Sequence, residues 1–248
     1  MWRFEHRTSS DRAVLPFPLS PFPRWTGVII RYHGPVPIID DEALVLDHHR
    51  FRDRDLVLAV ICRHHGVQRG ILRRARSGKA PAAAAAQILS HVHVSLFQKP
   101  TAELATYRHI ELIRSSFGLT TQLERSAAGA VVAELLLTYF PPSESSERAF
   151  RLGLKSLEAL LENTASDTVV AYAQYWTLAL GGVLGPPEAG SSPLDHASLE
   201  FLSQCRRRGV AEIEDPVPAA AARWLDQRAR EEAERPLRAL TFYRRECG

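Results

Sequence analysis

Residues 42–114 decide the fold. They read EALVLDHHR (42–50), FRDRDLVLAV (51–60), ICRHHGVQRG (61–70), ILRRARSGKA (71–80), PAAAAAQILS (81–90), HVHVSLFQKP (91–100) and TAELATYRHIELIR (101–114). Apolar residues come here in short runs or in alternation, which is the period of a strand and not of a helix. Ala43–Asp47 forms a first short strand and Asp55–Arg63 a second, almost wholly apolar one. His65-Gly66 turns the chain into Val67–Ala75, where Gly70 marks a bulge. Arg76–Ala86 is a loop whose alanine run, Ala82–Ala86, offers one helical turn. Ser90–Phe97 alternates, with Val92, Val94 and Leu96 on one face and His91, His93, Ser95 and Phe97 on the other. Pro100 ends that strand, and Leu104–Ile113 is the fifth.

Five strands with a connection between the third and the fourth predict a small closed barrel, of which the OB-fold is the common nucleic-acid-binding form. Positive charge gathers on it. Arg50, Arg52, Arg54, Arg63, Arg69, Arg73, Arg74, Arg76 and Lys79 stand against only Asp53 and Asp55 between residues 48 and 79, a local net charge of +7 where the whole chain carries +3. A compact β module with a concentrated basic surface suits a polyanion, and nucleic acid is the nearest one. The guanidinium fork meets phosphate with paired hydrogen bonds and stacks on bases. Such contacts position a protein on nucleic acid without reading sequence. Five or six of them acting together give a log–log salt slope of about −4 on single strands. The competing reading is that several of these arginines only solvate a barrel surface. Phe97 and Tyr107, on adjacent strands, offer rings for base stacking, with barrel packing as the alternative.

Composition narrows the class. With 248 residues, 45% hydrophobic and 24% charged, the chain is long enough for one large domain or two modest ones, each with a core. Cys62, Cys205 and Cys247 are too few and too scattered for a disulfide framework or a four-cysteine zinc site, so the cytoplasm is the expected compartment. No apolar run reaches the roughly 20 residues of a membrane span, and no secretory signal pattern opens the chain. Residues 1–38 carry Pro16, Pro18, Pro21, Pro23, Pro35 and Pro37 among aromatic side chains. That segment reads as a disordered extension or an upstream start of translation, with a partner-binding segment as the alternative.

Past Thr120 the period changes from two to 3.6. Thr121 and Glu124 carry a capping-box signature, and Leu123, Ala127, Val131 and Leu135 line one helix face until Pro141-Pro142. A second helix carries Phe150, Leu154, Leu157 and Leu161, and a third presents Val169, Ala173, Trp176 and Leu180. A Gly/Ser/Pro loop at 185–195 follows, then a fourth helix that Gly209 ends and a last helical region from Pro218, broken at Pro236. From residue 120 onward 14 basic residues face 18 acidic ones, so this half is no general nucleic-acid surface. The expected architecture is α+β: an extension at 1–38, an OB-fold barrel at 39–116 and an all-α helical domain at 117–248.

Catalytic constellations are not evident. There is no Gly-x-Ser-x-Gly elbow, no phosphate loop, no dinucleotide glycine pattern and no His-Glu-x-x-His, so the chain reads as a binding protein and not an enzyme, with no cofactor. Asp40-Asp41 and Glu231-Glu232 read as a linker pair and a charged helix surface. His91 and His93 share a strand face with His48, His49, His64, His65 and His109 in reach. Hydrogen-bonded or DNA-facing histidine suits that pattern better than a metal site, because adjacent histidines on a strand point to opposite faces. Cys62 is expected as a buried small hydrophobe. Arg206, Arg207 and Arg208 close the fourth helix, where cations suit the negative end of its dipole.

The order of these pieces resembles the bacterial recombination mediator family RecO. The residues that carry the likeness are Glu42–Leu46, Arg54–Leu58, His65–Gly70 leading into Arg73–Arg76, Ala102–Ala105, Glu111–Arg114 and Arg235–Leu240. The resemblance implies an N-terminal OB domain and a helical C-terminal domain. It implies binding of single- and double-stranded DNA and annealing of strands coated with single-strand binding protein. It further implies loading of RecA at gaps together with the partner RecR, in a cytoplasmic, nucleoid-associated setting. Many relatives carry two Cys-x-x-Cys pairs after the third helix; here that interval holds no cysteine, so zinc is not expected. The resemblance also makes Arg206–Arg208 a candidate dock for the acidic, Phe-ended tail of single-strand binding protein. A generic OB-domain RNA or tRNA adaptor, or a protein-only interaction module, are the competing readings.

Overall fold

A computed structural model of the chain describes residues 38–75, 81–99, 102–142, 144–184 and 194–247. Residues 1–37 of the extension expected at 1–38, the basic pair Arg76 and Lys79, and residues 185–193 of the Gly/Ser/Pro loop lie outside them; Ile38 already belongs to the first strand.

The strand periods resolve into β1 Ile38–Phe51, β2 Asp55–Cys62, β3 Gly66–Leu72, β4 His91–Phe97 and β5 Ala105–Arg114. They close into a barrel in the order β1-β2-β3-β5-β4. Closure comes from the parallel pair β3–β5, which sets Gly70 against Ala105 and Leu72 against Tyr107; the other neighbours are antiparallel. The alanine run supplies a short helix, α1 Pro81–Ala85, in the β3–β4 connection. This is the OB-fold arrangement that the sequence predicts.

The first strand is much longer than the five residues expected. Its first half pairs with β4, from Ile38 against Phe97 to Leu44 against His91, and its second half with β2, from Ala43 against Cys62 to Phe51 against Asp55. Asp40 and Asp41 are therefore ladder residues and not a linker, and Asp41 is buried. The register skips Leu46 between the Val45–Val60 and Asp47–Ala59 pairs. That bulge bends the strand and resets its facing. Val45 fills the barrel while Leu44 and Leu46 pack into the helical half.

β2 shows no alternation because both of its faces are covered. Leu56, Leu58, Val60 and Cys62 point into the barrel, and Ile61 points into the helical core. Burying side chains of this size contributes about 1.5–3 kcal/mol each, so barrel and helices are held by one continuous apolar contact. At Gly66, φ is +63°, and a Cβ there would sit 2.0 Å from the Glu144 carbonyl oxygen. Only glycine admits both the conformation and the approach.

The helices are α2 Leu123–Tyr139, α3 Glu147–Leu161, α4 Ser166–Leu180, α5 His196–Arg207, α6 Ala219–Glu232 and α7 Arg238–Glu246. α2 is apolar on most sides and lies at the centre, with Ala128, Val131, Val132, Leu135 and Leu136 fully or nearly fully buried. The expected capping box does not form. The Thr121 hydroxyl donates instead to the Gly118 carbonyl inside a 3-10 turn at Phe117–Thr121, and Gln122, which makes no side-chain cap bond, takes the N-cap position, with Leu123 62% exposed. At the far end, the Glu134 carboxylate of α2 accepts from the Arg238 and Leu240 amides at 2.7 and 3.1 Å, satisfying donors that the start of α7 leaves open.

Candidate nucleic-acid interface

The hairpin between β1 and β2 projects Arg50, Arg52 and Arg54, all exposed. Leu56, the second residue of β2, pairs with Leu72 at the end of β3, which brings the exposed Arg73 and Arg74 alongside that hairpin. The Arg74 amide donates to Asp55 Oδ1 at 2.9 Å, tying the two turns together. Five of the seven predicted arginines that lie within the described barrel thus converge on one end of it, and they arrive there from stretches some twenty residues apart in sequence. Tight turns require this of the backbone: Arg52 and Arg74 both adopt positive φ, 54° and 56°.

Cross-strand pairing then defines a face. Asp47, Ala59 and Arg69 form one outward row across β1, β2 and β3; His49, Val57 and Ile71 form the next; Phe51 and Asp55 form the one after. On β3 the outward residues Val67, Arg69 and Ile71, with Arg73 in the turn just past its end, run from the helical half to the hairpin end, and adjacent strands stand about 4.8 Å apart. The result is cations at the margins of a face whose central β2 residues, Val57 and Ala59, are themselves buried. The outer face of strands 2 and 3 with the first loop is where OB barrels seat oligonucleotides.

The other four predicted nucleic-acid site residues among those described stand apart from that end of the barrel. Arg63 turns away from this face and pairs with Glu147 of α3, its Nη2 3.1 Å from Oε1. Tyr107 is 4% exposed and fills the barrel interior opposite Leu96, because its strand alternates that position inward; no base can reach its ring. Arg69 is half-buried at the seam with the helices, its Nε shielded and without a hydrogen-bond partner. Phe97 lies on the outer side of β4, half-buried. One aromatic escaped the sequence reading: Phe51, on the outer face at the hairpin, with the Arg52 guanidinium 5.1 Å from its ring centre. The signal was the interleaved Arg-Phe-Arg at 50–52, eclipsed by the charge run around it.

Histidine chemistry is concentrated on the opposite part of β1. Asp41 accepts from the His64 amide at 2.8 Å and meets the His64 and His65 Nδ1 atoms at 3.0 and 2.9 Å. Adjacent histidines can share one carboxylate because residues 63–65 form a turn, not a strand. Burial pushes the Asp41 carboxyl up, but the hydrogen bonds from His65 and His64 outweigh it and leave the acid below its usual range. His93 pairs with Asp40 at 3.0 Å and His91 with Glu42 at 3.3 Å. Burial holds His91 below the ordinary imidazole value, against the pull of Glu42. Among the described residues no cluster of three or more His, Cys, Asp or Glu is placed to hold a metal ion. The Cys62 thiol lies in the barrel interior, pushed up to about 12 by burial and then by Asp41, and is a packing group.

Arg206, Arg207 and Arg208 close α5, all exposed, with Arg207 3.6 Å from Glu200. They flank a separate apolar cluster of Tyr175, Leu178, Phe201, Leu202 and Leu225. No helix among the described residues is long and apolar enough to cross a membrane.

Residues 37–116 match the family described as Recombination protein O N terminal. The chain is 27% identical over 143 residues to a DNA repair protein RecO of Koribacter versatilis (strain Ellin345), covering 58% of each chain. It is 29% identical over 116 residues to a DNA repair protein RecO of Symbiobacterium thermophilum, covering 47% of this chain and 45% of that one. The alignments span about half the length of the curated relatives.

Proposed function

We propose, from the match of residues 37–116 to the family described as Recombination protein O N terminal, that this protein belongs to the RecO family and is a non-enzymatic mediator of DNA repair and recombination. The carrying observation is the convergence of Arg50, Arg52 and Arg54 with Arg73 and Arg74 at one barrel end, beside Phe51. Phosphates of single- or double-stranded DNA bind the arginines, and Phe51 and Phe97 meet exposed bases. Two strands brought to such a surface repel one another less, so their bases pair; Arg76 and Lys79 belong to the same basic segment. Annealing of strands coated with single-strand binding protein, and loading of RecA with RecR, follow as the role of the whole assembly. The helical half presents the protein-facing surfaces, Arg206–Arg208 offering a basic rim to the acidic tail of single-strand binding protein.

The test is a strand-annealing assay on oligonucleotides coated with single-strand binding protein, using the chain with Arg52, Arg54 and Arg73 reversed to Glu. Annealing and single-stranded DNA affinity are expected to fall together at unchanged melting temperature. Unaltered DNA binding in that variant overturns the reading. Tighter binding of matched RNA than of DNA turns it toward an RNA adaptor.

A further inference from the structure

We infer that Asp55 is the positioning residue of the basic barrel end: its carboxylate sets the turn that carries Arg73 and Arg74, so that both stand beside the hairpin arginines before DNA arrives. This rests on the nucleic-acid reading above and adds to it a residue that touches no phosphate.

On charge alone an acid is out of place here. Asp55 opens β2, half-buried, directly across from Phe51 of the hairpin. It is one of only two acids among the nine cations between residues 48 and 79. A carboxylate in that company repels a polyanion and weakens the field of its neighbours. Something the carboxylate does for the arginines has to offset that loss.

The turn after β3 shows what that is. Leu72 and Ala75 are both seated in the barrel core, and the two residues between them, Arg73 and Arg74, are turned out and exposed. Arg74 achieves this with φ at +56°, in the left-handed region that is costly for a residue with a Cβ and is ordinarily taken by glycine or asparagine. Its amide donates to Asp55 Oδ1 at 2.9 Å. One charge-assisted bond from the neighbouring turn therefore holds the strained residue in place. Arg52, in that neighbouring turn, also has positive φ, +54°. Two turns at one barrel end thus place arginine where glycine is easier for the backbone. Strain of this kind, fixed by a specific bond, marks a positioned site and not a merely convenient loop.

The closing experiment compares Asp55→Asn and Asp55→Ala on the full chain, each alone and combined with Arg73→Ala and Arg74→Ala. Single-stranded DNA binding is read by anisotropy, and exchange of the Arg74 amide proton by NMR in the single variants. Both single variants lose the same charge, so electrostatics by itself makes them bind more tightly than the parent, and equally. Positioning separates them. Asp55→Asn keeps an acceptor oxygen at the same reach and is expected to bind at least as tightly as the parent, with Arg74 exchange unchanged. Asp55→Ala is expected to bind about 5- to 30-fold more weakly than Asp55→Asn, the weight of fixing one released backbone residue on binding, with faster exchange at that amide. Once Arg73 and Arg74 are gone, the two Asp55 variants should bind alike. Equal affinities of the single variants, or a gap that survives the loss of both arginines, overturns the positioning role alone. If removing Arg73 and Arg74 leaves affinity at the parent level, the nucleic-acid reading itself falls.

Discussion

Arg63 at the end of β2 holds Glu147 at the start of α3 through two nitrogens, Nε at 3.2 Å and Nη2 at 3.1 Å from one carboxylate oxygen. The pair joins the barrel to the helical half and withdraws a cation from the basic segment. Glu147 is well placed for it, since a carboxylate at a helix start also meets the positive end of the dipole. Hydrogen bonds from Arg63 and Arg151 hold its carboxyl below the usual range.

The first prediction follows. Arg63→Ala is expected to leave the salt slope of DNA binding unchanged, because that side chain is committed to the helices. Stability should fall only slightly, since Arg151 remains 2.9 Å from the same oxygen. Anisotropy titrations at several salt concentrations, beside a urea melt, read both; a lost unit of slope would place Arg63 on DNA after all.

A much larger effect is expected at Arg244. Its side chain is 20% exposed and makes parallel hydrogen bonds to Asp226, at 2.9 and 3.1 Å, and a third to Asp167 at 2.8 Å. It thereby ties α7 to α6 and α4. Replacing it with Met leaves two carboxylates without their cation, for which a loss of about 3–5 kcal/mol is expected. Lys restores charge but not the fork, so Arg244→Lys should recover only part of the loss in urea denaturation.

Acid should unfold the chain in two stages. The buried His91 resists protonation when folded, whereas the unfolded chain takes up that proton below about pH 6.5. Its contribution is thus complete above that pH and declines beneath it. Asp41, held low by His65 and His64 against the effect of burial, adds stability that is complete above the ordinary carboxylate value near 4 and drains as pH falls further. In melting temperature measured from pH 3 to 8, His91→Phe should abolish the upper decline while keeping the edge contact with Phe150. Asp41→Asn should flatten the lower one. A variant that merely shifts the whole curve down speaks against the assigned group.

The barrel was legible because alternation and apolar runs mark strands directly, and the helical half because its stripes repeat at 3.6. What escaped depended on pairing across distance. Asp40 and Asp41 look like a linker until β4 is laid beside them, and only then does the length of β1 appear. The Thr121–Glu124 signature is genuine chemistry that a competing turn claimed first. The charge of the basic segment was plain, but its division was not: whether an arginine faces the hairpin end, the seam or Glu147 is decided by strand parity and by what the helices bring near. A bulge at Leu46 alone shifts that parity for the second half of β1.

Aromatic residues give the sharpest separation of inside from outside. The Tyr107 hydroxyl is buried without a partner, and its ring packs among Leu72, Leu96 and Ala105. Tyr107→Phe removes an unsatisfied polar group at equal shape, so stability should hold or rise and DNA affinity should not move. Phe51 and Phe97 stand outward, and Ala at either should leave the fold intact. If bases stack there, single-stranded DNA affinity falls by roughly 5- to 150-fold, corresponding to about 1–3 kcal/mol per base. The fall should persist at high salt, where phosphate contacts are screened, since stacking carries no counterion term. Titrations at low and high salt with the two alanine variants decide the matter: affinity unchanged in both would remove the stacking role of this face.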